Sequence, residues 1–249
     1  MDASRIVRPA GGHLAYHATP GEAPGVMFCG GFTSDMTGTK ALALEAHCRA
    51  RGRAYIRFDY GGHGASAGRF EDGTIGAWAD DAIAILDQAC AGPVVLVGSS
   101  MGGWIMLLVA LARPERIKAL VGIASAPDFT EDLLSAGASA EQRRQLESEG
   151  YWMQESAYGD PPYPITAALI EDGRRHLLLR APIPIACAVH LLHGQRDPDV
   201  PWQTSLRLAE RLTSEDVTVE LIKAGDHRLS TERDLARIAV AVDRLASAA

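Results

Sequence analysis

The stretch Val94-Val95-Leu96-Val97-Gly98-Ser99-Ser100-Met101-Gly102-Gly103 decides the fold. Its apolar opening reads as a strand buried on both faces, and residues 104–112 are apolar enough for a buried helix. Gly-x-Ser-x-Gly at such a junction puts Ser100 on a tight, strained turn, with Gly98 and Gly102 where strand and helix come too close for any Cβ. The N–H of Met101, next in the chain, then lies at the helix start, where unpaired donors and the helix dipole favour a developing oxyanion. Ser100 is the expected nucleophile of a covalent mechanism.

Working outward, strands and helices alternate. Residues 6–7 and 14–16 read as an opening hairpin, and 26–29 as the first central strand, ending at Gly30-Gly31-Phe32-Thr33-Ser34. Glycines after a central strand let backbone amides approach a ligand, so Phe32 N–H is the candidate second oxyanion donor; a simple glycine turn is the other reading of this loop. A helix over 38–51 and a strand over 54–58 lead to Asp59-Tyr60-Gly61-Gly62-His63-Gly64. This loop lacks the glycine and lysine spacing of nucleotide-binding motifs, so Asp59 and His63 are expected to hold the loop together. A helix from Asp72 or Thr74 to about Cys90 precedes the serine strand, and residues 117–123 make the strand after it. The pattern predicts one α/β domain over 1–249, with a mostly parallel central sheet covered by helices on both faces.

The rhythm breaks between residues 127 and 187. A polar helical segment over 131–149, then Gly150-Tyr151-Trp152-Met153 and the Pro-rich residues 161–164, predict a small cap inserted over the C-terminal edge of the sheet, where ligands of open α/β sheets bind. Trp152, Tyr158 and Tyr163, with Tyr151 and Met153, are candidate pocket residues; the alternative is that they form the cap's own core. Alternation resumes with a strand over 189–194, a last strand over 217–222 and a closing helix over 231–245.

A serine hydroxyl needs a base within hydrogen-bond reach, and a histidine held by a carboxylate supplies one. Asp197 and His227 each follow a late predicted strand and complete the chain order nucleophile, acid, base. Asp199 and Asp226 are alternative acids. His193, four residues before Asp197, is expected to buttress the acid turn, because no metal-ligand spacing surrounds it. The expected site uses neither a metal nor another cofactor, and a serine nucleophile argues against chemistry that needs an aspartate there.

Of 249 residues, 47% are hydrophobic and 22% charged, which is globular, and no apolar run reaches the roughly 18 residues of a membrane-spanning helix. A formal charge of −7 without any dense basic run disfavours nucleic acid or an anionic membrane as partner. The four cysteines, Cys29, Cys48, Cys90 and Cys187, are scattered and read as free thiols. With no apolar stretch or transit-like segment near Met1, the expected location is cytoplasmic.

With these residues in place, the chain resembles the α/β-hydrolase superfamily over its whole length. Gly38-Thr39-Lys40-Ala41-Leu42-Ala43, Ile56-Arg57-Phe58-Asp59-Tyr60, Gly98-Ser99-Ser100-Met101-Gly102-Gly103-Trp104, Arg113-Pro114-Glu115, Leu191-Leu192-His193-Gly194, Val200-Pro201-Trp202 and Asp226-His227-Arg228 are similar to the family of mitochondrial palmitoyl-protein thioesterases and mycophenolic acid acyl-glucuronide esterases. The resemblance places that family's triad on Ser100, Asp197 and His227 and implies hydrolysis of acyl thioesters and activated acyl esters. Its cap sequence around 135–163 matches poorly. A general carboxylesterase, a carbon–carbon bond hydrolase and a non-catalytic binding protein of the same fold are the rival readings.

Overall fold

A computed structural model describes residues 3–8, 10–156 and 161–247. Its centre is an eight-stranded sheet. In chain order the strands are β1 (Ser4–Val7), β2 (His13–Thr19), β3 (Glu22–Cys29), β4 (Arg53–Phe58), β5 (Val94–Ser99), β6 (Ile117–Ile123), β9 (Ala188–Gly194) and β10 (Val217–Ile222), with β7 (Tyr151–Gln154) and β8 (Tyr163–Thr166) forming a separate antiparallel pair. The spatial order is β1-β2-β4-β3-β5-β6-β9-β10, parallel from β4 to β10 and antiparallel only where β2 joins β1 and β4. The helix-rich sequence pattern therefore yields the expected parallel sheet.

Two helical layers cover it. On one face α1 (Thr39–Ala50) and α7 (Glu232–Ser247) bury Ala41, Leu44, Cys48, Ile238, Val242 and Leu245 against Val95, Val97 and Val121. On the other, α2 (Ile75–Ala89) and α3 (Met101–Ala112) bury Trp78, Ile85, Trp104 and Met106 against Met27 and Leu96. Every residue of β5 is buried, as its unbroken apolar run requires when both sheet faces are covered.

Successive strands after β3 turn in opposite directions: β4 lies on one side of it and β5 on the other. The loops leaving β3 and β5 consequently part and leave a crevice at the C-terminal edge, the usual ligand position in such sheets. Gly30-Gly31-Phe32 and Ser100 both lie there.

Between β6 and β9 the chain forms a π-helical turn (Thr130–Ser135), α4 (Ala140–Glu149), β7, β8 and α5 (Ala167–Arg174). The single helical segment expected over 131–149 is two pieces, because Ser139 starts α4 afresh: its hydroxyl accepts from Gln142 N–H while the Gln142 side chain accepts from Ser139 N–H. The β7–β8 ribbon and α6 (Gln203–Arg211) were not expected from the sequence. Asp128, fully buried, fastens the segment by accepting from the N–H groups of Leu178 and Leu179 and pairing with Arg180.

Candidate active site

Ser100 occupies a backbone conformation of φ 55° and ψ −119°, rarely adopted by a residue with a side chain. Its surroundings hold it there: Ser100 N–H donates to Ile123 O at 2.9 Å, and Ser100 O accepts from Gly103 and Ala126 N–H at 2.8 and 3.0 Å. The flanking glycines answer the close approach anticipated from the sequence. A Cβ on Gly98 would lie 2.3 Å from Gly102 O, and one on Gly102 would lie 2.1 Å from Cys29 O. Ser100 is thereby presented at the mouth of the crevice.

Ser100, His227 and Asp197 form one hydrogen-bonded series. The Ser100 hydroxyl donates to His227 Nε2 at 3.0 Å, and His227 Nδ1–H donates to Asp197 Oδ2 at 2.7 Å. These residues stand 127 and 30 positions apart in the chain, and the ends of β5, β9 and β10 bring them together. Asp199 instead follows Asp197 in the acid turn, its N–H donating to Asp197 Oδ1, and Asp226 turns to Leu229 N–H.

The Asp197 side chain is fully buried and well supplied with donors. Burial by itself pushes the carboxyl up, but hydrogen bonds from His193 and His227, the His227 charge and the Val200 N–H more than offset it, holding Asp197 well below the usual carboxylate range. His193 is the less obvious contributor. Its Nε2 faces two acceptors, Asp197 Oδ2 at 3.1 Å and Val200 O at 3.0 Å, so that nitrogen carries the proton, while Nδ1 of the neutral ring accepts from the Ser205 hydroxyl at 2.7 Å.

On the opposite side of Ser100 lies the loop after β3. A Cβ added to Gly31 would sit 3.6 Å from Ser100 Cβ, so this backbone passes directly beside the serine. Among the described residues, no protein acceptor takes the Phe32 N–H, and Met101, as first residue of α3, has an N–H without an intrahelical partner. The Phe32 carbonyl accepts from His63 Nε2–H at 2.5 Å. Asp59 takes the Met36 and Ala65 N–H groups, so it and His63 are the loop fasteners expected from the sequence.

The Phe32 ring stands among four others at centroid distances of 5.1 to 5.7 Å: Phe70, Trp78, Phe129 and Tyr163. Tyr163, from β8, thus reaches the Ser100 side of the sheet. Trp152, 2% exposed, packs with Ala138, Ile165 and Ile170 in a small core of the segment between β6 and β9, and Phe32 and Tyr163 pack against that core. Tyr151 and Met153 are exposed on the other face of β7, and Tyr158 lies outside the described residues.

Among the described residues, Asp197, Asp199 and His227 have potential metal-donor atoms within 4.8 Å of one another. Both His227 nitrogens are already engaged, with Asp197 and Ser100, so a metal there would have to break the series. Lys40, not singled out from the sequence, donates to Arg228 O just past His227, and burial lowers its pKa to about 8.

The sequence profile of the alpha/beta hydrolase fold matches residues 26–169. Palmitoyl-protein thioesterase ABHD10 of Bos taurus is 42% identical over 243 residues, covering 97% of this chain and 79% of its own length. This chain belongs to the ABHD10 family of α/β hydrolases. The family's human member is likewise 42% identical over 97% of the chain. A solved structure of the mouse family member, alpha/beta hydrolase domain-containing protein 10, superposes with a TM-score of 0.90 at 41% identity over 98% of each chain. A solved protein of Agrobacterium vitis S4 reaches 0.95 at 39% identity over 99% of each. The ABHD10 relatives are named as mitochondrial, which overturns the cytoplasmic location expected from the N-terminus; this chain spans 79% of the cow protein, so its first residues do not decide the compartment. Among the described residues, no helix is long and apolar enough to cross a membrane.

Proposed function

We propose that this protein is a serine hydrolase of acyl thioesters and activated acyl esters, with long-chain acyl thioesters as its principal substrates. The observation that carries the proposal is the series Ser100 Oγ to His227 Nε2 at 3.0 Å and His227 Nδ1 to Asp197 Oδ2 at 2.7 Å. Membership in a family whose curated mammalian members are named palmitoyl-protein thioesterases supports the substrate class.

In this mechanism Ser100 Oγ attacks the acyl carbonyl carbon while its proton passes to His227 Nε2. The carbonyl π electrons move onto oxygen, and the Phe32 and Met101 N–H groups stabilise that charge. Collapse restores the carbonyl, breaks the carbon–sulfur bond, and the leaving thiolate takes the proton from His227. Water, activated by the same histidine, then releases the acid and regenerates Ser100. Asp197 stays ionised throughout and holds the imidazole in the tautomer that accepts at Nε2. The chemistry calls on no cofactor.

The segment over 127–187 acts in this reading as a cap on a single domain, with Tyr163 beside the acyl path. The acidic net charge and absence of dense basic runs favour an uncharged acyl group on a small or protein-linked carrier over nucleic acid.

The test is hydrolysis of matched thioesters and oxygen esters from acetyl to palmitoyl by the wild type and Ser100→Ala. Serine-dependent turnover that rises toward palmitoyl thioester is the expected result. A preference for short oxygen esters would replace the thioesterase with a general carboxylesterase. Equal inactivity of both proteins would overturn acyl hydrolysis and favour a ketone hydrolase or a binding protein.

A further inference from the structure

A second cavity of about 450 Å³ lies between α7 and the β9–β10 edge of the sheet, and none of its lining residues belongs to the Ser100 site. Its floor is apolar, made by Ala236, Val240 and Ala241. Arg233, Arg237 and Arg244 stand along one stripe of α7, spaced by four and seven residues, so all three guanidiniums border the same groove. From the sheet, His190 and Glu220 face them.

The charges there are unbalanced. Glu220 pairs with Arg237, whereas Arg233 and Arg244 have no carboxylate partner among the described residues. Of the acids of α7, Asp234 bonds to Thr231 and Asp243 pairs with His47 and Arg51, while Glu232, beside Arg233 at the first turn, is not among the residues lining the groove. Three guanidiniums against one carboxylate form a positive patch on a chain whose formal charge is −7.

Hydrogen bonding is also incomplete. His190 is 7% exposed, yet neither ring nitrogen has a hydrogen-bond partner, and Arg237 Nε is buried without one. Glu220 Oε2 stands 3.5 Å from His190 Nε2, too far for a good bond. Buried polar groups are almost always satisfied, so two unmatched donors at one groove, the N–H of the neutral His190 ring and Arg237 Nε–H, indicate an absent partner that accepts hydrogen bonds.

We infer that this groove binds an organic anion, a phosphate or carboxylate head on a short apolar body. The head accepts from the guanidiniums and from the His190 N–H, and the body lies on Ala236, Val240 and Ala241. Planar guanidiniums suit such oxyanions, and their aliphatic stems extend the apolar floor. The inference is independent of the thioesterase reading, because no residue is shared.

Octyl phosphate, octanoate, inorganic phosphate and neutral octyl glucoside are titrated into the full chain by calorimetry, with the His190 side-chain nitrogen resonances followed by NMR. Expected is saturable binding of at least one octyl anion, about tenfold or more tighter than inorganic phosphate or octyl glucoside. The His190 resonances should move with it. Binding should weaken about tenfold or more in Arg233→Gln/Arg244→Gln, which keeps its Ser100-dependent turnover and its fold by circular dichroism. The stronger of the two octyl anions identifies the head group. Absence of saturation, equal binding of octyl glucoside, or undiminished binding in the double variant would overturn the inference.

Discussion

His193 Nε2 and His227 Nδ1 converge on one atom, Asp197 Oδ2, at 3.1 and 2.7 Å. The carboxylate is therefore held from behind by a histidine that never faces Ser100, and His193 is in turn fixed by the Ser205 hydroxyl and Val200 carbonyl. The carboxylate that faces His227 thus depends on a residue outside the series itself.

Replacing His193 with Leu removes a donor from a buried carboxylate and should cost about 1–3 kcal/mol at neutral pH. Because the Asp197 pKa is depressed in the fold, its contribution is present above the unfolded value near 3.8 and is lost as pH falls through the folded value. The variant's deficit should accordingly be largest near neutrality and shrink in acid. Urea unfolding across this pH range tests it; a deficit independent of pH would assign His193 to packing alone.

Ser100→Gly relieves the positive φ and should stabilise the fold by about 1 kcal/mol while lowering turnover about 10⁴-fold or more. Thermal unfolding and thioester hydrolysis on the same preparation read both effects. A destabilised variant would refute strain at this position.

Gly102→Ala should destabilise by about 3 kcal/mol and reduce turnover, since its Cβ would meet the Cys29 carbonyl at 2.1 Å and must part strand from helix. Gly137→Ala, with nothing within 4 Å of its Cβ, should stay within about 0.5 kcal/mol of wild type. Equal behaviour of the two in chemical denaturation would contradict the close approach.

Cys29, Cys48 and Cys90 have thiols pushed up to about 12 by burial. A raised folded pKa gives stability that is complete below the unfolded value near 9 and disappears as pH climbs through the folded one. Each thiol should add up to about 1.4 kcal/mol of lost stability per pH unit in that window. Cys29→Ser/Cys48→Ser/Cys90→Ser should show a shallower alkaline decline in denaturant unfolding; an unchanged slope would mean these thiols ionise freely in the native protein.

The parallel sheet was legible because a buried strand announces itself as an unbroken apolar run, as at Val94-Val95-Leu96-Val97, and because the glycines beside Ser100 serve a contact between neighbouring elements. Asp197 and His227 were marked by their places after late strands. The residues between β6 and β9 were harder to read. Pro161, Pro162 and Pro164 disguised β8, where only a two-stranded ribbon is needed. Trp152 was equally consistent with a pocket wall and a core residue, because composition does not say which side of a strand faces a neighbour. The Lys40 contact with Arg228 O joins residues 188 positions apart and leaves no local pattern.

Phe32 follows Gly31, whose backbone lies beside Ser100, and its ring touches aromatic groups from α2, the loop before it, the loop after β6 and β8. Diversification of the inserted segment is therefore not free to proceed as if that segment were a detachable module. A lineage that remodels residues near Tyr163 also alters the packing that supports Phe32 and, through it, the backbone beside Ser100. New specificities should arise together with compensating changes at Phe70, Trp78 or Phe129.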